Sequence, residues 1–209
     1  MKKAFVILSV FLCVAAFAPR PAAASVDFGL KGGLSMSNIT WSTGDTDATS
    51  LTKPVFGAFV AFNLGPVLAV QPEVYYWTGG AKAEDTFEED TVEMQLKFNY
   101  IHVPVLAKLH FGKGSVKPMF FAGPAVSFLT TAREVIYLNG ALEEDMDVKE
   151  FLKSTDLSAV IGTGLELTMG KLLLIFDARY NLGISNINAK SSETTMKNRA
   201  WMFMLGVGF

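Results

Sequence analysis

The sequence predicts an all-β fold: an eight-stranded antiparallel up-and-down β-barrel that spans a membrane. Three observations predict it. Apolar residues alternate with polar or small ones at period two along eight segments. The large-apolar face of those segments carries no charge, and every charged residue in them lies on the opposite face. The connections alternate short and long, as in barrels with three short periplasmic turns and four long extracellular loops.

Composition agrees. Half of the 209 residues are hydrophobic, only 18% are charged, and mean hydropathy is +0.32. That excludes a disordered chain, and a single cysteine excludes a disulfide scaffold. A formal charge of −2 leaves no electrostatic footprint for nucleic acid.

The first segment is an address. Met1-Lys2-Lys3 is basic, residues 4–17 are uncharged and mostly apolar, and Ala22-Ala23-Ala24 are small. This pattern predicts a secretory signal peptide over 1–24, cleaved to leave a barrel domain over 25–209. Pro19-Arg20-Pro21 stops the apolar run short of the roughly 20 residues a membrane anchor needs. Cys13 lies inside the leader, so the mature chain has no disulfide to stabilise it.

The strands follow in order. Over 26–36, Val26, Phe28, Leu30, Leu34 and Met36 alternate with Asp27, Gly29, Lys31, Gly33 and Ser35. Over 55–64, Phe56, Ala58, Val60 and Phe62 share a face; over 67–77, Leu68, Val70, Val74 and Tyr76 oppose Gln71, Glu73 and Tyr75. The segment 94–111 changes phase. Leu96, Phe98 and Tyr100 are apolar at even positions, then Ile101, Val103, Val105 and Leu109 at odd ones, which predicts a β-bulge near Tyr100-Ile101. Strands over 116–129, 157–168, 172–182 and 201–209 complete the eight. Tight turns join them at 64–67, 112–115 and 169–171; polar loops span 37–54, 78–93, 130–156 and 183–198. Residues 141–153 are expected to form a short helix with Leu142, Met146 and Phe151 turned inward. An even strand number puts both termini in the periplasm.

Membrane helices fit less well. The uncharged stretches 54–72 and 118–132 are broken by Gly57, Asn63, Gly65-Pro66 and Gly123-Pro124. A water-soluble barrel would turn its ionic face to solvent. Here that face also carries Gly29, Gly33, Gly57, Gly123, Gly162, Gly164, Gly206 and Gly208, which suit the concave wall of a narrow lumen. It holds four acids (Asp27, Glu73, Glu166, Asp177) and four bases (Lys31, Lys97, Lys108, Arg179). A structural polar network of Lys31, Glu73, Lys97, His102, Lys108, Glu166, Asp177 and Arg179 is therefore expected to plug the lumen, because unpaired buried charge is costly.

Chemistry candidates are few. His102 and His110 are the only histidines; His102 falls near mid-depth, where lumen hydrogen bonding is favoured over base catalysis. The acidic runs Glu84-Asp85, Glu88-Glu89-Asp90 and Glu143-Glu144-Asp145 match no metal-loop spacing and read as solvated loops. No catalytic residue, cofactor or metal site is expected. Tyr75, Tyr76, Trp77, Tyr180 and Trp201 near one rim, and Phe28, Phe111 and Phe209 near the other, read as interfacial aromatic girdles.

An ordered set of motifs adds a resemblance. Gly29-Leu30-Lys31-Gly32-Gly33-Leu34-Ser35, Gln71-Pro72-Glu73-Val74-Tyr75-Tyr76 and Tyr100-Ile101-His102-Val103-Pro104-Val105-Leu106-Ala107-Lys108 come first. Phe121-Ala122-Gly123-Pro124, Gly162-Thr163-Gly164-Leu165-Glu166, Arg179-Tyr180-Asn181-Leu182-Gly183 and Leu205-Gly206-Val207-Gly208-Phe209 follow. The set resembles the PorT-like outer-membrane β-barrel family, with His102 where that family more often has an acid. The resemblance implies a Gram-negative outer-membrane location, and Phe209 as the C-terminal signal read by the barrel-insertion machinery. The expected function is structural or interactive, through the extracellular loops. Expected partners are outer-membrane lipid and lipopolysaccharide and a protein at the loops, with no nucleic acid. The rivals are a small transporter passing an apolar ligand through the barrel wall, and an envelope-lipid-modifying enzyme.

Overall fold

The computed structural model describes residues 25–42, 48–87, 90–112, 114–190 and 194–209. The leader read from 1–24 and the pair Glu88-Glu89 lie outside the described residues. The strands are β1 (Ser25–Trp41), β2 (Thr49–Asn63), β3 (Leu68–Phe87), β4 (Asp90–His110), β5 (Val116–Leu138), β6 (Ala141–Asp147), β7 (Thr155–Met169), β8 (Leu172–Gly183) and β9 (Met196–Gly208). All pairings are antiparallel. β1 pairs with β2 and β9, and β4 pairs with β3 and β5, so the eight strands other than β6 form a closed ring. Two backbone hydrogen bonds between Phe28 and Phe209 extend the β1–β9 seam to the last residue. Closure matters because a sheet edge in hydrocarbon would leave N–H and C=O groups without partners.

Alternation sorts the side chains. Leu205 is 59% exposed whereas Met204 beside it is 2% exposed. Outside lie Leu30, Phe56, Phe120, Ile161, Phe176 and Phe203; inside lie two apolar clusters with polar side chains among them. The barrel thus has its core in its own lumen. One end carries the short connections after β2, β4 and β7 together with Ser25 and Phe209, and is termed the turn end; the opposite one is the loop end.

Several local expectations change, and the connection expected over 37–54 is mostly strand, since β1 runs to Trp41 and β2 starts at Thr49. The expected connection 78–93 is largely strand, since β3 and β4 stay paired from Thr78↔Asn99 to Phe87↔Asp90. Residues 141–153 form no α-helix: β6 folds back on β5, and only a 3-10 turn, Lys149–Phe151, follows. Leu142, Met146 and Phe151 are exposed rather than turned inward. The cause is Asn139-Gly140, a two-residue connection with φ of 50° and 80°, the signature of a tight hairpin turn that Asn-Gly favours.

The bulge is present but sits on the other strand. Asn99 pairs with Thr131 and Tyr100 with Leu129, leaving Thr130 of β5 as the extra residue, its hydroxyl donating to the Asn99 carbonyl at 2.8 Å. β4 itself stays in phase, so Phe98 and Tyr100 point into the lumen beside His102.

Candidate functional site in the barrel lumen

The site begins with absent side chains. A Cβ on Gly57 would lie 2.3 Å from the Tyr75 ring, and one on Gly162 would lie 2.4 Å from the Phe121 ring. Those two glycines let both rings lie against the wall, and Arg179 lies between them. Its guanidinium carbon is 5.4 Å from the Tyr75 ring centre and 5.0 Å from that of Phe121, within cation–π range of both.

Around the guanidinium the charges balance. Arg179 Nη1 donates to Glu73 Oε2 at 2.5 Å; its Nη2 and Nε donate to the two Asp177 oxygens at 2.7 and 3.1 Å. Lys31 Nζ donates to Glu73 at 3.1 Å and to Asp177 at 2.7 Å. Two cations and two anions from β1, β3 and β8 thus cross the lumen as a neutral quartet, each nearly or fully buried. The fork of the guanidinium matches a carboxylate in two parallel bonds, which a lysine cannot do.

A polar chain runs from the quartet toward the turn end. Gln71 Nε2 donates to Glu73 at 2.5 Å and Gln71 Oε1 accepts from Lys108 at 2.9 Å. Lys108 pairs with Glu166, and His110 Nε2 lies 2.8 Å from the same carboxylate. On the loop-end side, His102 Nδ1 lies 2.8 Å from Ser127 Oγ, and its ring meets Trp77 edge-on at 5.9 Å. Higher still, Asn198 donates to Asp156 at 2.9 Å and to the Tyr100 hydroxyl at 3.1 Å, and Ser185 donates to Asp156 at 2.7 Å.

Of the residues expected in the lumen network, the structure brings together Lys31, Glu73, Lys108, Glu166, Asp177 and Arg179. His102 is in the lumen but bonds to Ser127, apart from the ionic chain. Lys97 is a correction. It lies on the outer face of β4 beyond the apolar band, with Nζ 3.1 Å from the Tyr137 hydroxyl and 5.2 Å above that ring. The phase change assumed for β4 hid this, because an unshifted strand puts odd residues outside. Asp27 stays at the turn end, accepting from Asn63 at 2.7 Å. Two aromatics assigned to the girdle, Tyr75 and Trp77, are buried inside, whereas Trp201 and Tyr76 face outward. Gln71, His110, Ser127, Asp156 and Asn198 were missed. Counting every polar side chain on the small-residue face, not charges alone, finds Gln71, His110 and Ser127, whereas Asp156 and Asn198 lie on strand ends assigned to loops from the sequence.

At the loop end the lumen opens into a pocket of about 370 Å³, walled by Trp41, Leu96, Phe98, Leu152 and Met196 with Glu134 and Lys190 at its polar edge. Phe98 and Tyr100 belong to the packed cluster that continues below it. No group of three His, Cys, Asp or Glu side chains among the described residues is arranged to hold a metal ion. Near the loop end Lys82 reaches Glu93 at 3.2 Å and Glu84 at 3.5 Å, and Arg133 reaches Asp145 at 2.6 Å. The Gln95 amide and the Lys82 ammonium hold Glu93 below the usual carboxylate range.

One solved structure has a fold that agrees with this architecture, and others are similar at a lower level. Neisserial surface protein A is 15% identical over 89% of this chain and 97% of its own, with a TM-score of 0.51. The N-terminal β-barrel domain of Pseudomonas aeruginosa OprF is 15% identical, covering 89% and 96%, with a TM-score of 0.45. Ail of Yersinia pestis is 14% identical, covering 88% and 98%, with a TM-score of 0.44. Among curated proteins none matches the chain. The profile of the outer membrane protein beta-barrel domain matches residues 18–189. With a closed barrel, an uncharged outer girdle and that match over most of its length, the protein is one of the outer membrane of Gram-negative bacteria, and the chain belongs to the outer membrane protein β-barrel domain family.

Proposed function

We propose that this barrel is a structural or interaction protein of the PorT-like kind, closed to ions and solutes, that meets its partners through the loop end. The observation that carries the reading is the quartet of Lys31, Glu73, Asp177 and Arg179, clamped between Tyr75 and Phe121 across the lumen. A conducting pathway would have to part four mutually bonded charges, and any unpaired one would carry a large desolvation penalty. The orientation proposed puts both termini in the periplasm and the β3–β4 and β5–β6 hairpins outside the cell. Lipid and lipopolysaccharide surround the girdle, and Phe209, 59% exposed on the outer face, is proposed as the signal read by the insertion machinery.

Planar-bilayer recording of the refolded barrel tests the closed lumen. Wild type is expected to give no discrete conductance steps, and Arg179→Ala to give intermittent ones; regular steps from wild type would sink the reading. Protease shaving of intact cells tests the orientation, with cleavage expected near Asn139-Gly140.

A second reading has one observation in its favour, the apolar pocket at the loop-end mouth. It supports capture of an apolar ligand followed by sideways exit through the wall, and liposome uptake of a labelled alkane distinguishes the two. An envelope-lipid-modifying activity has less support, because both histidines are buried, His102 in the lumen at 2% exposure. A base must reach its substrate.

A further inference from the structure

The outer face of the barrel changes character at one level. From the turn end upward, the outward residues of β3, β4, β5 and β9 are uncharged until Lys82, Lys97, Arg133 and Arg199. On each of these four strands the first charge met is a cation. On the outward faces of β1, β2, β7 and β8 none is met. The turn end has no such collar among the described strand residues.

Three of the four cations have partners within the protein: Lys82 with Glu93 and Glu84, Arg133 with Asp145, and Lys97 with the Tyr137 hydroxyl. Arg199 has no ion-pair partner among the described residues. It is exposed, cross-strand from Asn38 and Leu182. It borders a hollow of about 320 Å³ on the outer face, walled by Asn38, Thr40, Ser50, Tyr180 and Trp201. On the turn-end side of Arg199 the surface turns apolar and aromatic, with Trp201 4.9 Å from the Tyr180 ring and Phe203 stacked beyond it at 6.5 Å.

We propose that Arg199 and this hollow bind the phosphate-bearing headgroup of an anionic membrane lipid, whose acyl chain descends along Trp201 and Phe203. A guanidinium presents its N–H fork to phosphate oxygens in two parallel bonds. Hydroxyls of Thr40 and Ser50 line the same hollow as further donors. Indole and phenol rings settle at the interface between headgroups and acyl chains, which sets the depth at which the phosphate meets Arg199. The proposal rests on the barrel standing in a bilayer, not on the lumen being closed or on which end faces outward.

Native mass spectrometry of the folded barrel in neutral detergent, titrated with phosphatidic acid, phosphatidylcholine or inorganic phosphate, tests it. Wild type is expected to retain one phosphatidic acid in preference to phosphatidylcholine, and Arg199→Gln to weaken that retention about tenfold. Arg199→Lys should retain part of it, and Lys171→Gln, at the turn end, all of it. Circular dichroism and resistance to unfolding in SDS show that each variant is folded. Equal retention by wild type and Arg199→Gln would overturn the site. Inorganic phosphate binding as tightly as phosphatidic acid would overturn the lipid assignment. Because the readout is lipid retention, it fails or succeeds independently of conductance.

Discussion

Replacing Glu73 with Gln probes the lumen at its most connected point. Glu73 accepts from Lys31 at 3.1 Å, from Arg179 at 2.5 and 3.4 Å and from Gln71 at 2.5 Å, with no exposed surface. The substitution keeps shape and removes one negative charge, so Lys31 and Arg179 are left with Asp177 alone. Removing one partner of a buried ion pair costs about 3–5 kcal/mol, because the remaining charge is stranded away from water. The upper half of that range applies here, since two cations then share one carboxylate.

Neutrality supplies the control. Lys31→Met combined with Glu73→Leu removes one charge of each sign and leaves Arg179 bonded twice to Asp177. Exchanging a buried ion pair for apolar residues of like volume is often neutral. The double variant should therefore lose far less than the two single ones together. Urea unfolding in lipid vesicles, followed by tryptophan fluorescence, measures wild type, Glu73→Gln, the single variants Lys31→Met and Glu73→Leu and their double variant, and reversible two-state traces give the free energies. A Glu73→Gln loss below about 1 kcal/mol, or strictly additive losses in the double variant, would refute the claim that the quartet acts as one neutral unit.

Further outcomes follow from other parts of the barrel. Leu205→Arg puts a charge on the lipid face and should cost about 2–4 kcal/mol near mid-depth by the same unfolding assay. Gly162→Ala drives a methyl to within 2.4 Å of the Phe121 ring, which must leave its stack on Arg179; about 1–3 kcal/mol should be lost. Gly140→Ala forces a side chain onto a left-handed φ and should cost about 1–2 kcal/mol, visible as protease cleavage confined to the β5–β6 hairpin. At the β3–β4 tip Glu93 is held below its ordinary range, so its contribution is full above the unfolded value and fades as pH falls through the lower folded one. Pepsin should therefore begin to cut that tip only below about pH 4, whereas Glu93→Gln should show no such pH dependence.

Much of the barrel was legible because one face of every spanning strand answers to a single solvent. Lipid demands a face free of charged and polar side chains, and Val26 to Met36, with Gly32 its one gap, or Trp201 to Phe209 displays that demand. The central network was legible for the complementary reason: Lys31, Glu73, Asp177 and Arg179 are charges of both signs at inward positions of strands with clean period two. The β5–β6 hairpin was not read, although Asn139-Gly140 announces it, because the acidic run that follows also suits a helix. Its strand pairing is set by the turn and by Asn139 reaching back to Thr91 and Asp90, a contact 48 or more residues distant in sequence.

The misreading of β4 has a more general cause. A plugged barrel has a second apolar surface, its own core, and there the inner face becomes as greasy as the outer one. Around Phe98, Tyr100, Ile101 and Val103 both parities are apolar, so alternation carries no phase. A one-residue slip and an inward-facing core look alike along that single strand. The neighbours break the tie. Tyr75 and Trp77 lie opposite His102 and Tyr100, on a face of β3 already fixed as inward by Gln71 and Glu73. With β3 pinned, antiparallel pairing turns Tyr100 and Phe98 inward and sends Lys97 out. The phase of an ambiguous strand is thus settled by the polar anchors of the strand beside it, which is also why Lys97 belongs to the collar at the loop end and not to the plug.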